Sequence, residues 1–209
     1  LFHTDAVQAV NYLDCDVKKL GVDLLTLSSH KIYGPKGVGV LFVRQGTPIK
    51  PLVYGGGQEA GLRSGTENVA GIVGLGQALK EIQNPKSKIQ NIRTRQFRDK
   101  LINKILKIIP DSRLNGSPLR RLPNNINISF QGAEGEAIVI ALDQKGIAAS
   151  TGSACSSKSL EPSHVLLALG LSEEEAHGSL RITLGRHTSQ QEISRLLKVL
   201  PPIVQKLRK

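Results

Sequence analysis

Twice within its first thirty-one residues this chain runs a short apolar segment into a cluster of side chains capable of chemistry. Leu1–Val7 reads as a strand end that meets a polar turn and carries His3, Thr4, Asp5 and Gln8. Leu24–Ser28 reads as a second strand, stopping at Ser28-Ser29-His30-Lys31, and Val38–Val43 as a third, introduced by the Gly-Pro-Lys-Gly turn at 34–37. In open α/β sheets, ligands sit outside the carboxyl ends of the strands. A carboxylate, a lysine, hydroxyls and an imidazole are thereby brought to one crevice.

Each of these residues alone has a plainer reading. A lysine is usually a solvated surface residue, Asp5 is also placed to cap a helix, and Ser28 and His30 suit a turn. As a set they match what pyridoxal 5'-phosphate (PLP) requires. A lysine amine bonds to the aldehyde, a carboxylate keeps the pyridine nitrogen protonated, and hydroxyl and imidazole donors hold the phosphate.

Beyond this region the chain alternates. Gly55-Gly56-Gly57 and Gly61 mark a loop, and a helix is expected from about Glu67 to Ile82. Asn84-Pro85 breaks it, and an amphipathic helix is expected from Ser87 to Ile109, with Ile89, Ile92, Leu101, Ile105 and Ile108 spaced by threes and fours locally. Strands are expected at Asn125–Phe130, Gly146–Ala149 and Leu180–Leu184, and helices at Glu134–Gln144, Ser163–Leu169 and Glu192–Leu200. A boundary near residues 84–90 gives two parts, 1–86 and 87–209.

The chain has 209 residues, no Trp and only 3% aromatics, so its cores rest on Leu, Ile, Val and Ala. No apolar run approaches the ~18 residues of a membrane-spanning helix. Cys15 and Cys155 form no C-x-x-C pair, which argues against a disulfide framework or zinc site and fits a reducing cytoplasm. No secretory leader opens the sequence, and a start at Leu1 with a strand under way reads as a truncation. The net charge is +11, and much of it lies between Lys86 and Arg121, where the acids are Asp99 and Asp111. That stretch reads as a solvated helix face or as a docking surface for an acidic partner; without an RNA-binding motif or interleaved aromatics, direct nucleic-acid binding is not expected.

His3–Gln8 and Ser28–Gly37 (SSHKIYGPKG), with Arg63–Asn68, Thr151–Ser163 (containing GSACSSKSLEPS) and Leu180–Arg186, resemble the NifS/IscS-type cysteine desulfurases. These belong to the class V aminotransferase superfamily of PLP fold type I. The resemblance spans nearly the whole chain. It implies an α/β fold: part of a large PLP-binding domain with a mainly parallel sheet over 1–86, its N-terminal part missing, then a small α+β domain over 87–209 that carries a mobile cysteine loop.

Residue by residue, the resemblance implies that Lys31 bonds to the cofactor aldehyde and that Asp5 pairs with the pyridinium nitrogen. Gln8 contacts the ring's phenolic oxygen, Ser28 and His30 bind the phosphate, and Thr66 reaches the phosphate of a homodimer partner. Cys155, among small polar neighbours, is the sulfur-accepting nucleophile, since the thiolate is the reactive form. Arg181 forks onto the substrate carboxylate, for which a planar guanidinium is suited. His3 and Cys15 are read as structural, Arg186 as a weaker candidate for the carboxylate contact or a structural ion-pair residue, and His164, His177 and His187 as surface or packing residues without metal-ligand spacing.

The implied reaction takes sulfur from L-cysteine to give alanine and a Cys155 persulfide, which passes to an iron–sulfur scaffold or a tRNA-thiolation relay. These 209 residues alone are expected to be inactive and poorly folded. Two other readings remain: a selenocysteine lyase or another class V aminotransferase, which would not need a mobile cysteine, and a scaffold or sulfur-relay partner without catalysis.

Overall fold

The computed structural model describes residues 1–152 and 161–208. The chain divides into two compact units, Leu1–Lys88 and Ile89–Lys209.

In the first unit, β1 (His3–Asp5) lies parallel to β2 (Leu24–Ser28), with His3 opposite Leu24 and Asp5 opposite Thr26. β3 (Gly39–Val43) joins the other edge of β2 antiparallel, Leu24 opposite Val43 and Ser28 opposite Gly39. Connection length explains the difference. The turn between β2 and β3 is too short for the crossover of about a dozen residues that parallel neighbours require, whereas β1 and β2 are separated by a segment that includes α1 (Val17–Leu20). Asp16 starts α1 by accepting the N–H groups of Lys18 and Lys19 at 2.8 and 3.4 Å, and Gly21 ends it at φ +67.

The helix α2 (Val69–Gln83) begins at Asn68, whose side chain accepts the Gly71 N–H at 3.0 Å. It packs Leu75, Ala78 and Ile82 against Ile32 from the turn after β2. Gly34 makes that seat close: a Cβ there would collide with the Ser29 hydroxyl and lie 3.1 Å from the Ala78 methyl. Asn84 separates α2 from α3 (Pro85–Ile108) and caps the new helix by accepting the Lys86 N–H at 2.7 Å. Pro85 occupies the first turn, where its missing N–H costs nothing.

In the second unit β4 (Ser112–Leu114), β5 (Asn125–Phe130) and β6 (Ser179–Thr183) form an antiparallel sheet in that order. Alternation along β5 and β6 decides its two faces. Ile126, Ile128, Leu180 and Ile182 point into the core, with α4 (Gly135–Asp143), α7 (Gln190–Leu207) and α3 contributing Ile138, Leu142, Leu196, Leu200, Leu101 and Ile105. Asn125, Asn127, Arg181 and Thr183 alternate with those residues and take the other face. The short helices α5 (His164–Ala168) and α6 (Glu173–His177) pack through Leu166, Leu171 and Ala176. Two capping boxes, Ser172 with Glu175 and Ser189 with Glu192, start α6 and α7.

Several elements differ from the sequence expectation. α7 does not stop at Leu200 but continues through Pro201 and Pro202 to Leu207, because Leu200 and Val204 are both fully buried in the core and their burial outweighs the lost N–H bonds. Gly146–Ala149 forms no strand; a single antiparallel bridge joins Ser150 to Arg181. Arg98, counted within the basic face, is turned inward and only 4% exposed. No helix among the described residues is long and apolar enough to cross a membrane.

Candidate active site

The parallel register of β1 and β2 puts their carboxyl ends at one edge of the first unit's sheet. Asp5 is opposite Thr26, so Ser28 stands two residues, about 7 Å, further along that edge. The Asp5 side chain is exposed and accepts the Val7 N–H at 2.9 Å, which shapes the turn leading to Gln8. After Ser28 the chain coils through a single turn, Ser29–Ile32, which places His30 and Lys31 on the surface and Ser29 and Ile32 inside. The Ser28 hydroxyl and His30 Nδ1 lie 3.0 Å apart, so the two are already organised as a pair. Tyr33 closes the turn in the left-handed region, φ 68, a conformation uncommon for any residue but glycine.

His3, read from sequence as structural, is exposed, and its Nε2 lies 2.7 Å from the Thr26 hydroxyl across the strand pair. Gln8 precedes the turn Ala9–Asn11, and Thr66 is exposed in the segment before α2. Tyr12, half-buried beside Asn11 and Tyr33, has its hydroxyl pushed up to about 12, chiefly by burial and then by Tyr33. Cys15 is a half-buried free thiol, raised first by burial and then by Asp14, which disfavours the reactive thiolate. That environment accords with a structural Cys15.

Arg181 belongs to the second unit. It is held on both sides of β6: opposite Asn127 on β5, and bridged to Ser150, whose N–H donates to the Arg181 carbonyl at 3.2 Å. The start of the Thr151–Ser163 motif is thus pinned to the backbone of Arg181. Cys155 itself lies outside the described residues. Arg181 lines a cavity of about 630 Å³ with Arg120, Arg121, His164, Asn127 and Thr151; Glu161 is the one carboxylate among the described lining residues. The excess of cationic groups gives the described lining a net positive charge, which favours anions over cations there.

Sequence reading missed the wall of this cavity. Asn115 Nδ2 donates to Asn127 Oδ1 at 2.6 Å and to the Ser129 hydroxyl at 2.8 Å. Arg121 donates to the Ser117 carbonyl at 3.1 Å, to Asn125 Oδ1 at 2.9 Å and to the Asn115 carbonyl. Burial, then the adjacent Arg98 charge, draws the Arg121 guanidinium below its usual range. Arg98 in turn donates to the Arg121 and Leu122 carbonyls at 3.0 and 3.1 Å and pairs with Asp99 at 2.7 Å. The signal was the alternation N-I-N-I-S-F over 125–130, which gives β5 one face of polar residues opposite its buried face. Arg186 Nε donates to His187 Nε2 at 3.1 Å. No group of three or more His, Cys, Asp or Glu among the described residues is placed to hold a metal ion.

These features define a class of protein: a partial α/β sheet with a lysine turn at its carboxyl edge, followed by an α+β unit with a cationic cavity. The chain belongs to the class V aminotransferase family, whose profile matches residues 1–196. It is 54% identical over 206 residues to cysteine desulfurase IscS 1 of Archaeoglobus fulgidus, covering 99% of this chain and 53% of that protein. To cysteine desulfurase IscS of Methanosarcina thermophila it is 54% identical over 207 residues, covering 99% and 51%. The chain thus spans about half the length of the curated relatives it matches. Among solved structures, a NifS-like protein superposes with a TM-score of 0.88 at 34% identity, covering 99% of this chain and 53% of its own. A NifS-like protein from Rickettsia africae superposes at 0.87 with 32% identity, covering 98% and 53%. The architecture is therefore that of PLP fold type I, represented in part.

Proposed function

We propose that this chain is the part of a PLP-dependent cysteine desulfurase that holds the cofactor lysine, the acceptor cysteine and the substrate-carboxylate arginine. The observation that carries the reading is the parallel pairing of β1 and β2, which delivers Asp5 and the Ser28–His30–Lys31 turn to one sheet edge. The donor set there fits PLP: an amine for the aldehyde, a carboxylate for the ring nitrogen, and an adjacent hydroxyl and imidazole 3.0 Å apart for a phosphate. Gln8 would contact the ring oxygen, and Thr66 would serve the phosphate of a second subunit in a homodimer. Bound there, PLP supplies an aldehyde that takes up the substrate amine and a ring that accepts electrons.

The chain's own residues do the rest. Arg181 orients L-cysteine by its carboxylate. Lys31, as a free amine, moves the proton at the substrate Cα, and Asp5 keeps the ring-nitrogen proton in place. The Cys155 thiolate attacks the substrate sulfur. The substrate's carbon–sulfur bond breaks as a sulfur–sulfur bond forms, so L-cysteine and one thiol become L-alanine and one persulfide. That persulfide then passes to an acceptor protein for iron–sulfur assembly or thiolation, a reaction suited to the reducing cytoplasm. The IscS names of the relatives and the intact Lys31, Asp5, Cys155 and Arg181 support this reading over a non-catalytic scaffold.

The test uses the chain completed at its N-terminus to the length of its relatives. With PLP added, the wild type should gain a visible absorbance band that survives gel filtration, and Lys31→Ala should lose it. A band of equal strength and persistence in both would place the cofactor elsewhere and sink the assignment.

A further inference from the structure

On the polar face of the β5–β6 sheet, Arg181 stands directly opposite Asn127 and diagonally from Asn125. Side chains so placed in an antiparallel pair are within reach of each other, and the diagonal partner is within reach of a long one. The default outcome for an arginine beside two amide oxygens is a hydrogen bond to one of them. That does not happen here. Among the described residues, Arg181 Nε is buried and has no hydrogen-bond partner, although a buried unpaired donor carries a real penalty.

The neighbouring acceptors are already engaged. Asn127 Oδ1 takes the Asn115 amide at 2.6 Å, and Asn125 Oδ1 takes Arg121 at 2.9 Å. The arrangement is costly in itself. Asn115 is 3% exposed and its own Oδ1 has no partner among the described residues, and Arg121 sits beside a second guanidinium, that of Arg98. Stability alone would favour apolar residues at such positions.

We infer that Asn115, seconded by Arg121, is a positioning residue that sequesters the asparagine oxygens on β5 and so keeps Arg181 available for the carboxylate of an incoming amino acid. This rests on the functional reading above and deepens it, because it names what protects the substrate's anchor from capture by its own strand partner. Freed of Asn115, Asn127 would bind Arg181, and each substrate would first have to displace it. The effect belongs in binding, since the Arg181–carboxylate contact is the same before and during the reaction.

The experiment measures L-cysteine turnover in the completed, PLP-loaded chain. Asn115→Ala should raise KM about tenfold, the scale of one hydrogen bond to a charged group, with kcat within about twofold of wild type. Asn115→Ala/Asn127→Ala, which removes the freed oxygen as well, should bring KM back to within about threefold of wild type. A bracing role for Asn115 would not show this rescue. Where the urea midpoint shows that Asn115→Ala has lost its fold, Arg121→Met and Arg121→Met/Asn125→Ala carry the same test on the diagonal partner, with a smaller rise and the same recovery. An unchanged KM in a folded single variant, or a double variant no better than the single, overturns the inference while turnover itself upholds the functional reading. A wild type that releases no alanine from L-cysteine sinks both.

Discussion

The two units of this chain are built to different standards of closure. In Ile89–Lys209 one continuous core runs from α3 through β5 and β6 to α7, and Leu101, Ile105, Ile126, Ile128, Leu142 and Leu200 are all 0% exposed. In Leu1–Lys88 the buried residues fall into two small groups, around Ile32 and Leu75 and around Ala6 and Leu25. Large apolar side chains more than half exposed occur in both units, such as Phe2, Leu52 and Tyr54 in the first and Ile89, Leu119 and Ile140 in the second. The difference teaches where each unit finds its rigidity. Arg181 rides on a strand whose other face is a finished core. Asp5, at the end of β1, and His30 and Lys31, in the turn after β2, ride above a thin one.

The sharpest way to break this comparison is to separate the units. Residues 89–209 alone should unfold in one cooperative urea transition, whereas residues 1–88 alone should show none and should bind a hydrophobic dye. A cooperative transition in the smaller fragment would contradict the account. Point substitutions grade the same contrast. Ile128→Ala in the second unit should cost about 2–5 kcal/mol by chemical denaturation, while Val73→Ala, at a position 65% exposed, should stay within about 0.5 kcal/mol in this chain.

A smaller effect, of opposite sign, is expected at Ser29. Its hydroxyl, in the turn that carries Lys31, is fully buried and has no partner among the described residues. Ser29→Ala should therefore be neutral or stabilising by up to about 1 kcal/mol, read from the urea midpoint of the completed chain. A clear loss would mean that the hydroxyl has a partner when the site is filled.

The smallest effect concerns acid. Glu175 and Glu192 are held below the usual carboxylate range, first by the N–H groups of Ser172 and Ser189 that they accept. A depressed folded pKa means stability that is present above the unfolded value and lost as pH falls through the folded one. Glu192→Gln should flatten that part of the pH–stability profile of the second unit, and an unaltered profile would deny the capping box its charge component.

Much of this was legible in the sequence because the relevant signals are local. Short apolar runs ending in polar clusters gave β1, β2 and the lysine turn, and Asn84-Pro85 gave the break between α2 and α3. What escaped depends on tertiary context. β4 has only three residues and is defined by its pairing to β5. The continuation of α7 through two prolines depends on the burial of Val204. Arg98 looks like one more surface cation until its carbonyl partners at 121 and 122 are seen. Asn115 and Asn127 carry no local signal of their contact, which the pairing of β5 with its neighbours brings about beside Arg181. Cys155 was named from its motif and lies outside the described residues.

The most direct measurement of the central claim follows alanine and sulfide release from L-cysteine in the completed, PLP-loaded chain, for the wild type and Cys155→Ala. Loss of both products in the variant, with the cofactor's absorbance band intact, is the result expected of a desulfurase that works through Cys155. Unchanged turnover would make Cys155 a bystander and move the protein to another branch of the class V family.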